Sequence, residues 1–435
     1  MEASSRTGSM TRAAFGAVGL IVIGLAGCTP LGLNTASANI EKQEAARPDV
    51  LGAFEGDPPV TTAAEWTDRR APILRKAFER DLYGPVPVEL HGVETGRRVI
   101  DADYANGAGV LEEIDIRVGE GANAFTYQVA IAYPKGASDA HPVPLILNQN
   151  FGGTPGAFDS DELSGGGMSN EGMMAGVIRL IFGKYIIEGP NEAILRRGYA
   201  YASFSAEPFA SDSKRAYDQM KQMAALLAPD RAPEGVIAVW AAAFSWSLDV
   251  LDRDPRLDAS RTAVWGHSRQ GKAALLAAAF DDRIEAAIPL QAGKGGATLT
   301  RSYAGESVKQ ITKAYPYWFA PAYAGYAKRE EDIPVDQHQL IALVAPRPLL
   351  LGNGWKDVWS DPNGGYRAAV GADPVYRLFG VEGLTQTGMR DQTRHGRIDF
   401  FIRGGGHGVR VEDWDYMLDW LDQTLPAPEA LQAAH

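Results

Sequence analysis

From residue 143 onward, short apolar runs that end in turn residues alternate with longer segments of helical period. VPLILNQNFGG (143–153), GYAYASFSA (198–206), TAVWGHS (262–268), AAIPLQAG (286–293), RPLLLGNG (347–354) and DFFIRGGG (399–406) are the short runs. Between and after them lie PEGVIAVWAAAFSWSLDVLD (233–252), GKAALLAAAF (271–280), VDQHQLIALVA (335–345) and EDWDYMLDWLDQTL (412–425), with helical spacing. A strand that is apolar on both faces must be covered on both faces, so this alternation predicts a mostly parallel sheet between two layers of helices. AFTYQVAIAYP (124–134) alternates and reads as a further strand, and WTDRRAPILRKAFERDLY (66–83) reads as a helix stopped by Gly84-Pro85. In such sheets ligands sit beyond the carboxyl ends of the strands. That rule brings Ser268, Gly293, Asp357 and His407 to one rim.

The 435 residues are 45% hydrophobic, enough for one large core. The net charge is −12 and no Lys/Arg block forms a stripe, which argues against a nucleic-acid partner. One cysteine, Cys28, excludes an intramolecular disulfide. Arg6 and Arg12 precede an apolar run near 13–26 that is short for a membrane span, and Leu25-Ala26-Gly27 leads into Cys28. This resembles a bacterial lipobox, and the resemblance implies cleavage before Cys28, lipidation of its thiol and, with Thr29 following, an outer-membrane lipoprotein. The alternative is a plain secretory signal. The expected organisation is a leader over 1–27, a flexible tether over 28–60 rich in Ala, Pro, Thr and Asn, a catalytic domain over 61–426 and a tail over 427–435.

The stretch VWGHSRQGKAAL (264–275) carries the chemistry. A strand ends at Gly266, Ser268 occupies the turn and a helix begins near Gly271. A sharp strand-to-helix turn of this kind exposes a serine hydroxyl as a nucleophile elbow, with helix N–H groups beside it. The spacing is G-x-S-x-x-G where G-x-S-x-G is usual. A helix-capping serine is the bland alternative.

Serine needs a base. Of seven histidines, His407 alone follows a strand and three glycines late in the chain, as the order Ser, acid, His requires. His395 lies in a charged stretch, His435 is terminal, His267 adjoins the serine and His338 lies in a helical pattern. The acid should follow a strand. The run 286–290 leads to Gln291-Ala292-Gly293, without one. The run 347–352 leads to Asp357, the expected acid, with Asp361 the weaker choice because Asp361-Pro362 reads as a turn. Arg269 and Lys272 put cations beside the nucleophile. They suit an acidic substrate or an oxyanion, although solvated helix-start charges are the alternative. No His/Asp/Glu cluster has metal spacing, so neither metal nor cofactor is expected.

Gly266-His267-Ser268-Arg269-Gln270-Gly271-Lys272 resembles the G-x-S-R-x-G-K signature of the glucuronoyl esterases, carbohydrate esterase family 15. Trp66 to Pro85, Val335 to Pro348, Asp357-Val358-Trp359-Ser360-Asp361-Pro362 and Gly405-Gly406-His407 are similar to further segments of that family, so the likeness spans about residues 60–425. It implies a three-layer α/β-hydrolase sandwich without a large lid. It also implies cleavage of esters between (4-O-methyl-)glucuronic acid on xylan and alcohols of lignin. By this resemblance Ser268 is the nucleophile, His407 the base and Arg269 an oxyanion contact. Lys272 and Glu306 would bind sugar hydroxyls and Trp359 would pack on the sugar, although Trp359 also reads as core. Many relatives carry an acid where this chain has Gln291, and Lys294 is also unusual. The acid is then Asp357. The chain is expected to act as a monomer on a uronic-acid ester of a polysaccharide or oligosaccharide. The alternatives are an esterase on other sugar esters such as acetylxylan, and a carbohydrate-binding lipoprotein that has lost catalysis.

Overall fold

The computed structural model describes residues 47–165, 172–393 and 395–426. The leader, Cys28, most of the tether and the tail over 427–435 lie outside the described residues.

Nine strands form one sheet: β1 (Gly92–Asp103), β2 (Gly109–Val118), β3 (Phe125–Pro134), β4 (Val143–Gln149), β5 (Ala200–Phe204), β6 (Leu257–His267), β7 (Ala286–Leu290), β8 (Leu349–Gly354) and β9 (Ile398–Arg403). Their order is β1-β2-β3-β5-β4-β6-β7-β8-β9. The first three are antiparallel neighbours and β3 meets β5 antiparallel, whereas every pair from β5 through β4 to β9 is parallel. The expected sandwich with a mostly parallel sheet is therefore observed. Its cause is visible along single strands. Leu145, Leu147, Val264, Ala287, Leu349 and Leu351 join one buried cluster. Their neighbours Ile146, Ala263, Trp265, Ile288 and Leu350 join the cluster on the opposite face. Side chains alternate across a strand, so an all-apolar run feeds two cores at once.

Seven helices matter for the site: α1 (Ala71–Phe78), α2 (Gly172–Phe182), α3 (Val236–Leu251), α4 (Arg269–Phe280), α5 (Gln337–Ala342), α6 (Pro362–Leu378) and α7 (Val411–Thr424). α1, α3, α4 and α5 supply the first cluster, and α7 the second. Trp414 of α7 packs edge-on against Trp265, ring centroids 4.9 Å apart. The helix expected over 66–83 runs from Ala63 to Tyr83 with π turns at each end, and Thr62 caps it by accepting the Glu65 amide. Gly84, at φ 75°, ends it.

Three features depart from the sequence reading. The tether stops short of residue 60, because Val50, Phe54 and Val60 are buried in the core and Arg70, fully buried, binds Asp57 through Nε at 2.7 Å. These scattered anchors are too sparse to show a periodic signal. β1 and β2 had no reading as strands, since β1 is solvent-exposed along most of its length and carries charge. The helix α2 was also unread, although Ile178 and Phe182 on its inner face form part of the site.

Candidate active site

Ser268 sits between β6 and α4 with φ 59° and ψ −117°, a backbone conformation that costs on the order of 1–3 kcal/mol for a residue with a Cβ. Its amide is tied to the Leu290 carbonyl at 2.9 Å, and its own carbonyl accepts from Lys272 at 3.2 Å. The turn closes because residues 266 and 271 have no side chains. A Cβ on Gly266 would lie 2.5 Å from the Gln270 carbonyl, and one on Gly271 would lie 3.0 Å from the Leu290 oxygen. The second glycine of the motif thus packs one residue later than usual, and the elbow survives the altered spacing. The opening turn of α4 directs its first N–H groups toward the serine end of the helix.

His407 follows β9 on the glycine loop. Its Nδ1 lies 2.7 Å from Asp357 Oδ2, and both residues are buried. The other carboxylate oxygen of Asp357 accepts the Ser360 amide at 3.2 Å. With Nδ1 engaged by a carboxylate, the ring is oriented so that Nε2 is the nitrogen left for proton transfer. Ser268 and His407 line one cleft with Asn150, Phe151, Ile178 and Phe182. Asp361 is otherwise employed. It caps α6 by accepting the Gly364 amide at 3.0 Å and takes the Ser302 hydroxyl at 2.5 Å.

Arg269 points along the rim of the same cleft. Its guanidinium pairs with the Asp212 carboxylate and lies over the rings of Trp318, Tyr315 and Phe151 at 4.7, 5.1 and 5.7 Å. Asp212 also accepts from the Trp318 indole at 2.8 Å and the Tyr317 hydroxyl at 3.2 Å. Asp212 was not legible in the sequence, because it lies 57 positions from the arginine it holds, on a loop with no motif.

The remaining expected binding residues lie on the Asp357 side of the rim. The Lys272 ammonium donates to the carbonyls of Ala292 at 2.5 Å and Lys294 at 2.7 Å. Gly293 lies between Lys272 and Ser360 and turns the chain there with φ 58°. Trp359 is half-buried, and its carbonyl accepts the Glu306 amide at 3.0 Å. Lys294 is buried, donates to the Ser302 carbonyl at 2.5 Å, and its ammonium is lowered below the usual lysine range by burial.

Burial pushes the Glu306 carboxyl up to about 7, against the opposing pull of Lys272, Arg269 and His407. A carboxyl raised on folding favours the native state most below its unfolded value, here 4.5, and that advantage is lost as pH rises through 7. The ionised form therefore costs stability at pH 8, by about 3 kcal/mol at most. Glu306→Gln is expected to gain melting temperature over the parent as pH rises from 5 to 8. Thermal melts at both pH values check this, and a difference independent of pH would refute it.

Comparison with known proteins agrees with this geometry. The carbohydrate esterase MZ0003, from an unknown prokaryotic organism, is 32% identical over 419 residues, which cover 91% of this chain and 93% of that protein. The chain belongs to carbohydrate esterase family 15, the glucuronoyl esterases. It is thus a carboxylic ester hydrolase. The family described as glucuronyl esterase, fungi, matches residues 177–380. A promiscuous CE15 esterase from a marine bacterial metagenome superposes with a TM-score of 0.76 at 30% identity, covering 89% of this chain and 99% of its own. The glucuronoyl esterase of Solibacter usitatus gives 0.75 at 28% identity over 88% of this chain and 99% of its own. The family resemblance read from the elbow motif is therefore correct, as is the α/β-hydrolase sandwich.

Proposed function

We propose that this family 15 enzyme hydrolyses esters of (4-O-methyl-)glucuronic acid, with Ser268 as nucleophile, His407 as base and Asp357 as the acid that orients it. The observation that carries the reading is the buried contact between His407 Nδ1 and Asp357, opening on the same cleft as a strained serine at a helix N-terminus. His407 Nε2 takes the hydroxyl proton as Ser268 Oγ attacks the ester carbonyl. The oxyanion forms at the first turn of α4, where helix N–H groups and the Arg269 guanidinium stabilise it. His407 returns the proton to the departing alcohol. Water then attacks the acyl-serine with His407 again as base, which releases the acid.

The acyl group is assigned from two supports. The 4-O-methyl-glucuronoyl methylesterase of Schizophyllum commune is 25% identical over 349 residues, covering 77% of this chain and 75% of that protein. On the chain itself, Lys272, Glu306 and Trp359 provide a cation, a carboxyl and an indole beside Asp357, a set suited to a hydroxylated ring on the acyl side. The paired assay is benzyl glucuronate against an acetylated xylo-oligosaccharide. Benzyl alcohol release without comparable acetate release is expected. Acetate release alone would transfer the enzyme to the sugar-acetate class.

A further inference from the structure

Gln291 directly follows β7 with φ 49°, is buried, and belongs to none of the roles above. Its side-chain Oε1 accepts the Gly408 amide at 2.8 Å. A backbone N–H can only donate, so this contact fixes which amide atom faces inward. The same Oε1 lies 2.8 Å from His267 Nε2. His267 must therefore donate from Nε2, which makes it the Nε2–H tautomer. Burial and the facing His407 hold its imidazole well below the usual range, consistent with a neutral ring.

Both partners of Gln291 touch the base. Gly408 is the next residue after His407 in the chain. The His267 ring packs against the His407 ring with centroids 4.5 Å apart. The loop is also held from its other side. A Cβ on Gly408 would lie 2.0 Å from the Phe182 carbonyl, and the Val409 amide donates to that carbonyl at 2.7 Å. Ser360 Oγ completes the enclosure, 3.4 Å from the Gln291 backbone carbonyl and 3.3 Å from His407 Nδ1.

We propose that Gln291 is a positioning residue, whose single carbonyl oxygen holds the histidine loop and the neighbouring His267 ring so that His407 stays between Asp357 and the Ser268 cleft. The strand-end position of Gln291 then contributes geometry and no charge. This rests on His407 being the base, and the test separates the two. The groups that face His407 are Asp357, Ser360 and His267, with the charge of Glu306 farther off, and the charges of Arg403 and Arg269 act on the His267 ring.

The experiment is the rate of Ser268 labelling by a fluorophosphonate, with kcat and KM on benzyl glucuronate, for full-length wild type, Gln291→Leu and Gln291→Glu. Gln291→Leu is expected to lose about 10- to 100-fold in labelling rate and kcat, with KM within about threefold, as for a base displaced by a fraction of an ångström. Gln291→Glu keeps the acceptor and is expected to recover most of the rate. Its added negative charge favours the imidazolium, so its acid limb should move to higher pH. A folded Gln291→Leu that labels at the wild-type rate overturns the proposal, and so does a Gln291→Glu no faster than Gln291→Leu. Should Gln291→Leu show no melting transition, Gln291→Glu decides alone: a labelling rate and kcat within about tenfold of wild type support positioning, and a larger loss in the folded variant refutes it. Wild type that resists labelling would instead count against the base assignment.

Discussion

Ser268→Ala is expected to lower kcat on benzyl glucuronate by about 10⁴- to 10⁶-fold while leaving the fold intact. The hydroxyl oxygen is the only heavy atom removed. The backbone bonds that hold the turn, from the Ser268 amide to Leu290 and from Lys272 to the Ser268 carbonyl, do not involve it. Residual activity would come from binding and the helix N-terminus alone, without an acyl-enzyme. Ser268→Gly separates chemistry from strain. It removes the Cβ from a residue at φ 59° and should melt above wild type, by roughly 1 kcal/mol, while being equally inactive. Steady-state kinetics with thermal melts check both statements. An alanine variant within tenfold of wild type would remove Ser268 from the mechanism.

Asp357→Asn is expected to cost about 10³- to 10⁴-fold in kcat with little change in melting temperature. Two roles are separable at this side chain. One carboxylate oxygen accepts the Ser360 amide, and an asparagine carbonyl can still do so. The other faces His407 Nδ1 at 2.7 Å, and there the asparagine would present an NH₂. A donor facing Nδ1 favours the tautomer with the proton on Nε2, which leaves the ring unable to accept from Ser268. Asp361→Asn is the matched control. Asp361 caps α6 and accepts from Ser302; an asparagine keeps the cap and turns an NH₂ toward the Ser302 hydroxyl, so the change should cost about 1 kcal/mol of stability and only a few-fold in kcat. If the two variants exchanged phenotypes, the acid would be Asp361.

Much of this site was legible because strands buried on both faces advertise themselves. β4, β6, β7, β8 and β9 each read as an apolar run with a polar or glycine end, and the residues beyond those ends are Ser268, Asp357 and His407. The acid followed from position alone: one strand end offered Gln291 and the next offered Asp357. What stayed hidden was set by long-range pairing. Asp212 is visible only through its arginine, and α2 only through the two side chains it turns into the cleft. The bonds of Gln291 to Gly408 and His267 join three separate segments, so the sequence showed the departure and not its use. Lys272 was expected to face a sugar, and its ammonium also donates to the carbonyls of Ala292 and Lys294, two bonds that no local pattern encodes.

The central claim is that the acyl group is a uronate. The most direct test is the ratio of kcat/KM for benzyl glucuronate to that for an acetylated xylo-oligosaccharide, measured on one preparation with Ser268→Ala as the blank. A ratio above about 100, some 2.7 kcal/mol of transition-state preference, is the predicted result. A ratio of one or below, with both activities abolished in the blank, would contradict it.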